Sequence, residues 1–152
     1  MDQFIILLGW AGVFAPMALG CAGSGFGVSI AGQAACGALI DVESGYGKYI
    51  GLCALPSTQG ILGIVIMFIM MGHMHTGMTV YIAPACFGIG IFAGIGLLLT
   101  SLYQGYSVAG AINAAKNKPE IFGLSIAPAA IVEGFSVFIF VFALVLSGQI
   151  PS

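Results

Sequence analysis

From Gln3 to Ile40 the chain carries no Asp, Glu, Lys, Arg or His. A charge-free run of this length reads as a membrane-spanning helix, for which ~20 apolar residues suffice. Three more apolar runs follow: Tyr49 to Met71 and Met78 to Ala115, both without a charge, and Ile121 to Leu146, interrupted by Glu133 alone. Short polar breaks separate them: Asp41, Glu43 and Lys48 with Gly45 and Gly47; then Gly72-His73-Met74-His75-Thr76-Gly77; then Lys116-Asn117-Lys118-Pro119-Glu120. With three Lys, no Arg and five acidic residues in 152, the chain has too little charge to cover a soluble domain. The predicted fold is therefore an all-α membrane protein of four transmembrane helices. They form two tandem hairpins, residues 1–76 and 77–152. At ~1.5 Å per residue the first and third helices project well beyond a ~30 Å hydrocarbon core.

The same pattern excludes several classes. A net charge of −2 without basic clusters argues against nucleic acid as a partner. The N-terminus, Met1-Asp2-Gln3-Phe4, lacks the positive region of a signal peptide and reads as the start of a retained span. Cys21, Cys36, Cys53 and Cys86 fall inside apolar runs without metal-ligand spacing, so they read as small buried packing residues. All three Lys lie in the 1–2 and 3–4 connections, which the positive-inside rule places in the cytoplasm, with both termini outside. His73 and His75 then fall on the outer loop. Without further ligands nearby, they read as a solvated turn rather than a metal site.

Glu133 is the one charge deep inside a span. A carboxylate near the bilayer centre is costly and is ordinarily kept for ion or proton handling. A protonated carboxyl acting as structural glue is the alternative.

The two hairpins resemble each other. Gly27-Val28-Ser29-Ile30-Ala31-Gly32 in the first span parallels Gly105-Tyr106-Ser107-Val108-Ala109-Gly110 in the third. Pro56-Ser57-Thr58-Gln59-Gly60 in the second span sets Gln59-Gly60 against Glu133-Gly134 of the fourth, which follows Pro128. Both halves share one topology, so the chain is a duplicated hairpin rather than an inverted repeat. One half holds an acid and the other an amide.

In the first span Gly23, Gly27, Ala31 and Ala35 make a small-xxx-small row that lets backbones approach closely. Small residues cover more than one of its faces, which predicts close neighbours on several sides and many packed copies. Phe135, Phe138, Phe140 and Phe142 of the fourth span suit lipid contact on an outer layer.

Neutral oxygens accompany the acid. Leu55, Thr58 and Gln59 share one side of the second span, where Pro56 cannot donate its backbone bond and loosens the turn. The Thr58 hydroxyl and the amides of Gln59 and Gln104 offer the hard oxygen ligands that alkali cations prefer. Each amide could instead serve only to hydrogen-bond across packed helices.

The Gly-rich first and third spans, Leu55-Pro56-Ser57-Thr58-Gln59-Gly60, Tyr103-Gln104-Gly105 and Val132-Glu133-Gly134 resemble, over essentially the whole chain, the duplicated proteolipid of V-type and A-type rotary ATPases. The resemblance implies a homo-oligomeric rotor ring turning against a stator membrane subunit, with central-stalk subunits seated on its cytoplasmic side. Ions hop on and off one carboxylate per protomer. The chain has no nucleotide-binding motif, needs no organic cofactor and is non-catalytic; ATP chemistry belongs to other subunits. The resemblance also implies that the Leu55 carbonyl is an ion ligand in sodium-carrying members. Na+ is expected at Glu133, Gln59, Thr58, Gln104 and the Leu55 carbonyl, because three oxygen-bearing side chains beside the acid exceed what a proton needs. Where sodium-carrying relatives have a Tyr one turn after Thr58, this chain has Leu62, which leaves H+ as the alternative and asks another donor to steady the carboxylate. A small proton-coupled four-helix exporter is the reading from a different class.

Overall fold

The computed structural model describes residues 3–75 and 80–150. Helix α1 runs over Gln3–Asp41, α2 over Tyr46–Leu52, α3 over Thr58–Met71, α4 over Ile82–Asn117, α5 over Phe122–Ser125 and α6 over Ala127–Ser147. Single 3-10 turns at Leu55–Ser57 and Pro119–Ile121 complete the second and fourth spans. The four spans are Gln3–Asp41, Tyr46–Met71, Ile82–Asn117 and Pro119–Ser147, each long and apolar enough to cross a bilayer. The boundary expected between residues 76 and 77 lies outside the described residues, as do Met1, Asp2, Thr76, Gly77 and Met78.

Glycine decides how the spans pack. α1 and α4 run parallel in near backbone contact. A Cβ on Gly9 would meet Ala83, one on Gly23 would lie 2.6 Å from Leu98 Cα, and one on Gly105 would lie 2.5 Å from Gly27 Cα. The equivalent glycines of the two repeats, Gly27 and Gly105, thus touch at the same height. Gly23, Gly27, Ala31 and Ala35 are all buried in this seam. α3 packs on α1, while α6 packs on α4 and over a shorter stretch on α3. The result is an inner pair, α1 and α4, and an outer pair, α3 and α6. Gly25, Gly32 and Gly37 point into open space, so the first span has a second small-residue face that the protomer itself does not cover.

Both outer spans are broken on the side of the Lys-bearing loops. The 1–2 turn closes through Gly45 at φ 74, a left-handed conformation that suits glycine. α2 then ends at Leu52, ahead of the 3-10 turn that holds Pro56. In the fourth span the interruption falls at Ile126, just before Pro128 in the first turn of α6. Proline lacks the N–H that would continue the preceding turn and is tolerated at a helix start, so each break sits where the sequence permits it.

Two apolar clusters fill the interior. One, towards the His-bearing end, includes Val13, Ile66, Met70, Cys86, Leu97 and Ala143. The other, towards the Lys-bearing end, includes Ala31, Ala35, Tyr49, Leu52, Val108 and Ile112. Lys116 pairs with Asp41 at 2.6 Å, tying the ends of α1 and α4, and Lys48 lies 4.8 and 5.2 Å from the Tyr49 and Phe122 rings.

Three expectations need correction. Phe135, Phe138 and Phe142 are exposed, but Phe140 turns inward and packs on the apolar cluster. Cys53 and Cys86 are buried, whereas Cys21 and Cys36 lie on exposed faces of α1. His73 is not simply solvated: its Nε2 lies 3.2 Å from the buried Ser147 hydroxyl, joining the ends of α3 and α6.

Gly27→Leu should prevent the protein from assembling, because even its Cβ would sit 2.6 Å from Pro56 Cβ and press on the Ser101 backbone. Phe138→Leu, at a side chain 60% exposed, should leave assembly intact. Size-exclusion chromatography of the detergent-solubilised complexes checks this; equal tolerance at both positions would contradict the packing assignment.

Candidate functional site

Between the two apolar clusters lies a polar layer. Five of the buried polar side chains occupy it: Ser24 of α1, Gln59 of α3, Ser101 and Gln104 of α4, and Ser136 of α6. The face of α4 shows how the sequence builds it. Leu97, Ser101, Gln104 and Val108 are spaced four, three and four residues apart on one side of the helix. The apolar residues at either end face the clusters, while Ser101 faces the 3-10 turn of the second span and Gln104 faces α3 and α6.

Glu133 enters this layer from α6, half-buried, and its Oε2 is the meeting point of three donors. Gln104 Nε2 donates at 2.7 Å, the Thr58 hydroxyl at 2.9 Å and Gln59 Nε2 at 3.3 Å. A carboxylate oxygen presents lone pairs and no proton, so it can accept several donors at once. The donors are themselves interlinked. Gln59 Nε2 reaches Gln104 Oε1 at 2.8 Å, and Gln104 Nε2 reaches the Ala129 carbonyl at 3.1 Å. The Thr58 Oγ1 also lies 3.2 Å from the Leu55 carbonyl and 3.2 Å from Gln59 Oε1. Among the described residues no buried side-chain nitrogen or oxygen lacks a partner.

All five residues singled out in the sequence, Leu55, Thr58, Gln59, Gln104 and Glu133, therefore come together. Gln104 arrives with its nitrogen, not its oxygen, towards the carboxylate. It acts here as a donor, and serving a cation requires the amide to turn end for end. The steadying group that Leu62 does not supply is the trio Gln104, Thr58 and Gln59. Leu62 itself packs half-buried on the apolar cluster. Tyr103 points outward at 60% exposure, its ring tilted against Tyr106.

Three hydroxyls were not singled out in the sequence. Ser136 accepts from Gln59 Nε2 at 2.9 Å, Ser101 donates to the Pro56 carbonyl at 2.5 Å, and Ser24 accepts from the Gly60 N–H at 3.0 Å. Helical spacing could have found two of them: Ser136 lies three residues after Glu133 and Ser101 three before Gln104, each on the face of its acid or amide. Ser24 has no such signal within its own helix.

Residues 11–70 and 87–146 each match the family of the ATP synthase C subunit. The chain is 35% identical to the A-type ATP synthase subunit K of Methanocaldococcus jannaschii over 134 residues. That match covers 85% of this chain and 59% of the relative. The chain is also 29% identical to the V-type sodium ATPase subunit K of Enterococcus hirae over 152 residues, covering 96% of this chain and 97% of that relative. It thus spans less than two thirds of the first relative's length and nearly all of the second's.

Ser136→Ala should lower the thermal stability of the purified protein by about 1 kcal/mol, since it removes an acceptor from a buried amide. Calorimetry in detergent checks this; an unchanged melting temperature would take Ser136 out of the network.

Proposed function

Since this chain belongs to the family of the ATP synthase C subunit, as a duplicated rotor-ring proteolipid of the V/A type, we propose that it carries Na+ on Glu133 and couples the ion's passage across the membrane to ring rotation and to ATP hydrolysis or synthesis. Proteolipids of this family are integral membrane, non-catalytic subunits that form multi-copy rings. In the reading proposed here, the copies turn against a stator membrane subunit. Central-stalk subunits seat on the Lys-bearing loops at the cytoplasmic face, and both termini lie outside.

One observation carries the choice of ion: Thr58 Oγ1 lies close to three further oxygens and has a single proton for them. Leu55 O, Gln59 Oε1 and Glu133 Oε2 share that proton at 3.2, 3.2 and 2.9 Å. Oxygens crowded to roughly 3 Å with too few protons between them suit the shell of a cation held at ~2.4 Å. With Na+ there, these four oxygens offer lone pairs, Gln104 adds its Oε1 once the amide turns, and Glu133 neutralises the charge. The relative from Enterococcus hirae is named as a sodium ATPase subunit, which agrees. Leu62 is the feature that favours H+ on the same ring, since a proton needs only the carboxyl and an acceptor.

Glu133→Gln should abolish ion transport and leave the ring assembled, because the amide keeps the shape and loses the charge. A membrane potential acts on a moving unit charge with ~2.3 kcal/mol per 100 mV, and a neutral site gives it nothing to act on. Ion flux in reconstituted vesicles reads this, and full pumping by the variant would sink the assignment. A carbodiimide, which attacks a protonated carboxyl in apolar surroundings, should label Glu133. Na+ should protect at constant pH, more so as its concentration rises and less as acid competes. Labelling that follows pH and ignores Na+ makes this a proton ring.

A further inference from the structure

We propose that Ser101 is a positioning residue for the ion site, aiming the Leu55 carbonyl through the Pro56 peptide; the inference rests on the Na+ reading above. Leu55 and Pro56 are joined by an amide without an N–H, and the proline ring holds φ of Pro56 at ≈ −65°. Between the Leu55 carbonyl and the Pro56 carbonyl, only ψ of Pro56 is then free to turn. The Ser101 hydroxyl donates to the Pro56 oxygen at 2.5 Å, with Ser101 and Pro56 both buried. That bond fixes ψ, and with it the direction of the Leu55 carbonyl, which lies 3.2 Å from the Thr58 hydroxyl.

The other side of the break is held in the same way. The Gly60 N–H, four residues beyond Pro56, donates to Ser24 Oγ of α1 at 3.0 Å. A Cβ on Gly20 would lie 2.7 Å from the Gln59 carbonyl, so α1 approaches too closely for the segment to swing that way. The break in the second span is therefore clamped by a hydroxyl from each inner helix. Ser101 and Gln104 stand one turn apart on α4, so one rigid helix sets both the carbonyl and the amide. Both serine hydroxyls bond the backbone of the second span rather than Glu133.

The consequence separates Na+ from H+. A sodium ion is held by several oxygens at fixed spacing, so a carbonyl turned aside weakens it and loosens its discrimination from smaller Li+. A proton resides on Glu133 and makes no use of Leu55. In the intact ATPase in membrane vesicles, Ser101→Ala should raise the Na+ concentration for half-protection of Glu133 from carbodiimide by about five- to tenfold. It should also narrow the gap between Na+ and Li+. The pH dependence of labelling without Na+ should stay as in the parent protein, whereas general loosening of the helices would move it too.

Ser101→Thr keeps the hydroxyl and should restore protection to within about twofold, and Ser101→Cys, a weaker donor, should fall between. The Cys variant decides the matter if the Ala variant fails to assemble. Ser107→Ala serves as the control, because the Ser107 hydroxyl bonds only the Tyr103 carbonyl of its own helix. Na+ protection in the parent protein with no shift in the Ala or Cys variant overturns the role of Ser101 and leaves the Na+ reading standing. Absence of Na+ protection in the parent protein overturns that reading and this inference with it.

Discussion

A carboxylate inside a membrane span calls for donors from the protein, and the docking of three spans meets that demand at Glu133. A lone charge inside a membrane span is costly on any scale. Three neutral donors converge on Oε2, and each comes from a helix other than α6. Thr58 and Gln59 come from α3 and Gln104 from α4, so the site exists only when three spans are docked. Apolar clusters border the layer on either side, and a lower local dielectric strengthens hydrogen bonds of this kind.

Docking at that precision follows from the inner pair. Gly12, Gly23, Gly27, Gly90, Gly94 and Gly105 bring α1 and α4 to backbone contact, which leaves little freedom to slide or rotate. Membrane helices gain no hydrophobic driving force from meeting each other, so close packing and interhelical hydrogen bonds carry the association. Ser24 and Ser101 are where these two means coincide: small enough for the close seam and polar enough to hold the broken second span.

The fold class, the duplication and the meeting of Leu55, Thr58, Gln59, Gln104 and Glu133 were legible in the sequence because each leaves a local mark. Apolar runs mark spans, Pro56 and Pro128 mark the breaks, and a single acid marks the polar layer. What escaped was set by contacts between distant segments. Ser24 sits 36 residues from Gly60 and Ser101 45 from Pro56, so no periodicity within one helix links either to its partner. Phe140 reads like its neighbours in sequence, yet the helical turn carries it inward while Phe138 and Phe142 face out. Cys21 and Cys36 look buried by composition but lie on a face of α1 that the protomer leaves uncovered. The orientation of the Gln104 amide depends on the Ala129 carbonyl and the carboxylate together, which only the assembled site decides.

The duplication gives the amide at Gln59 a physical reason. Its nitrogen lies 3.3 Å from Glu133 Oε2, although the two positions are equivalent in their repeats. An acid at both would set two carboxylates side by side in a low-dielectric layer, where like charges disfavour each other's ionisation. Glutamine removes that conflict and adds what the remaining acid lacks: two protons for the carboxylate and its neighbours, and an oxygen 3.2 Å from Thr58. The position that could have carried a second charge has become part of the shell around the first.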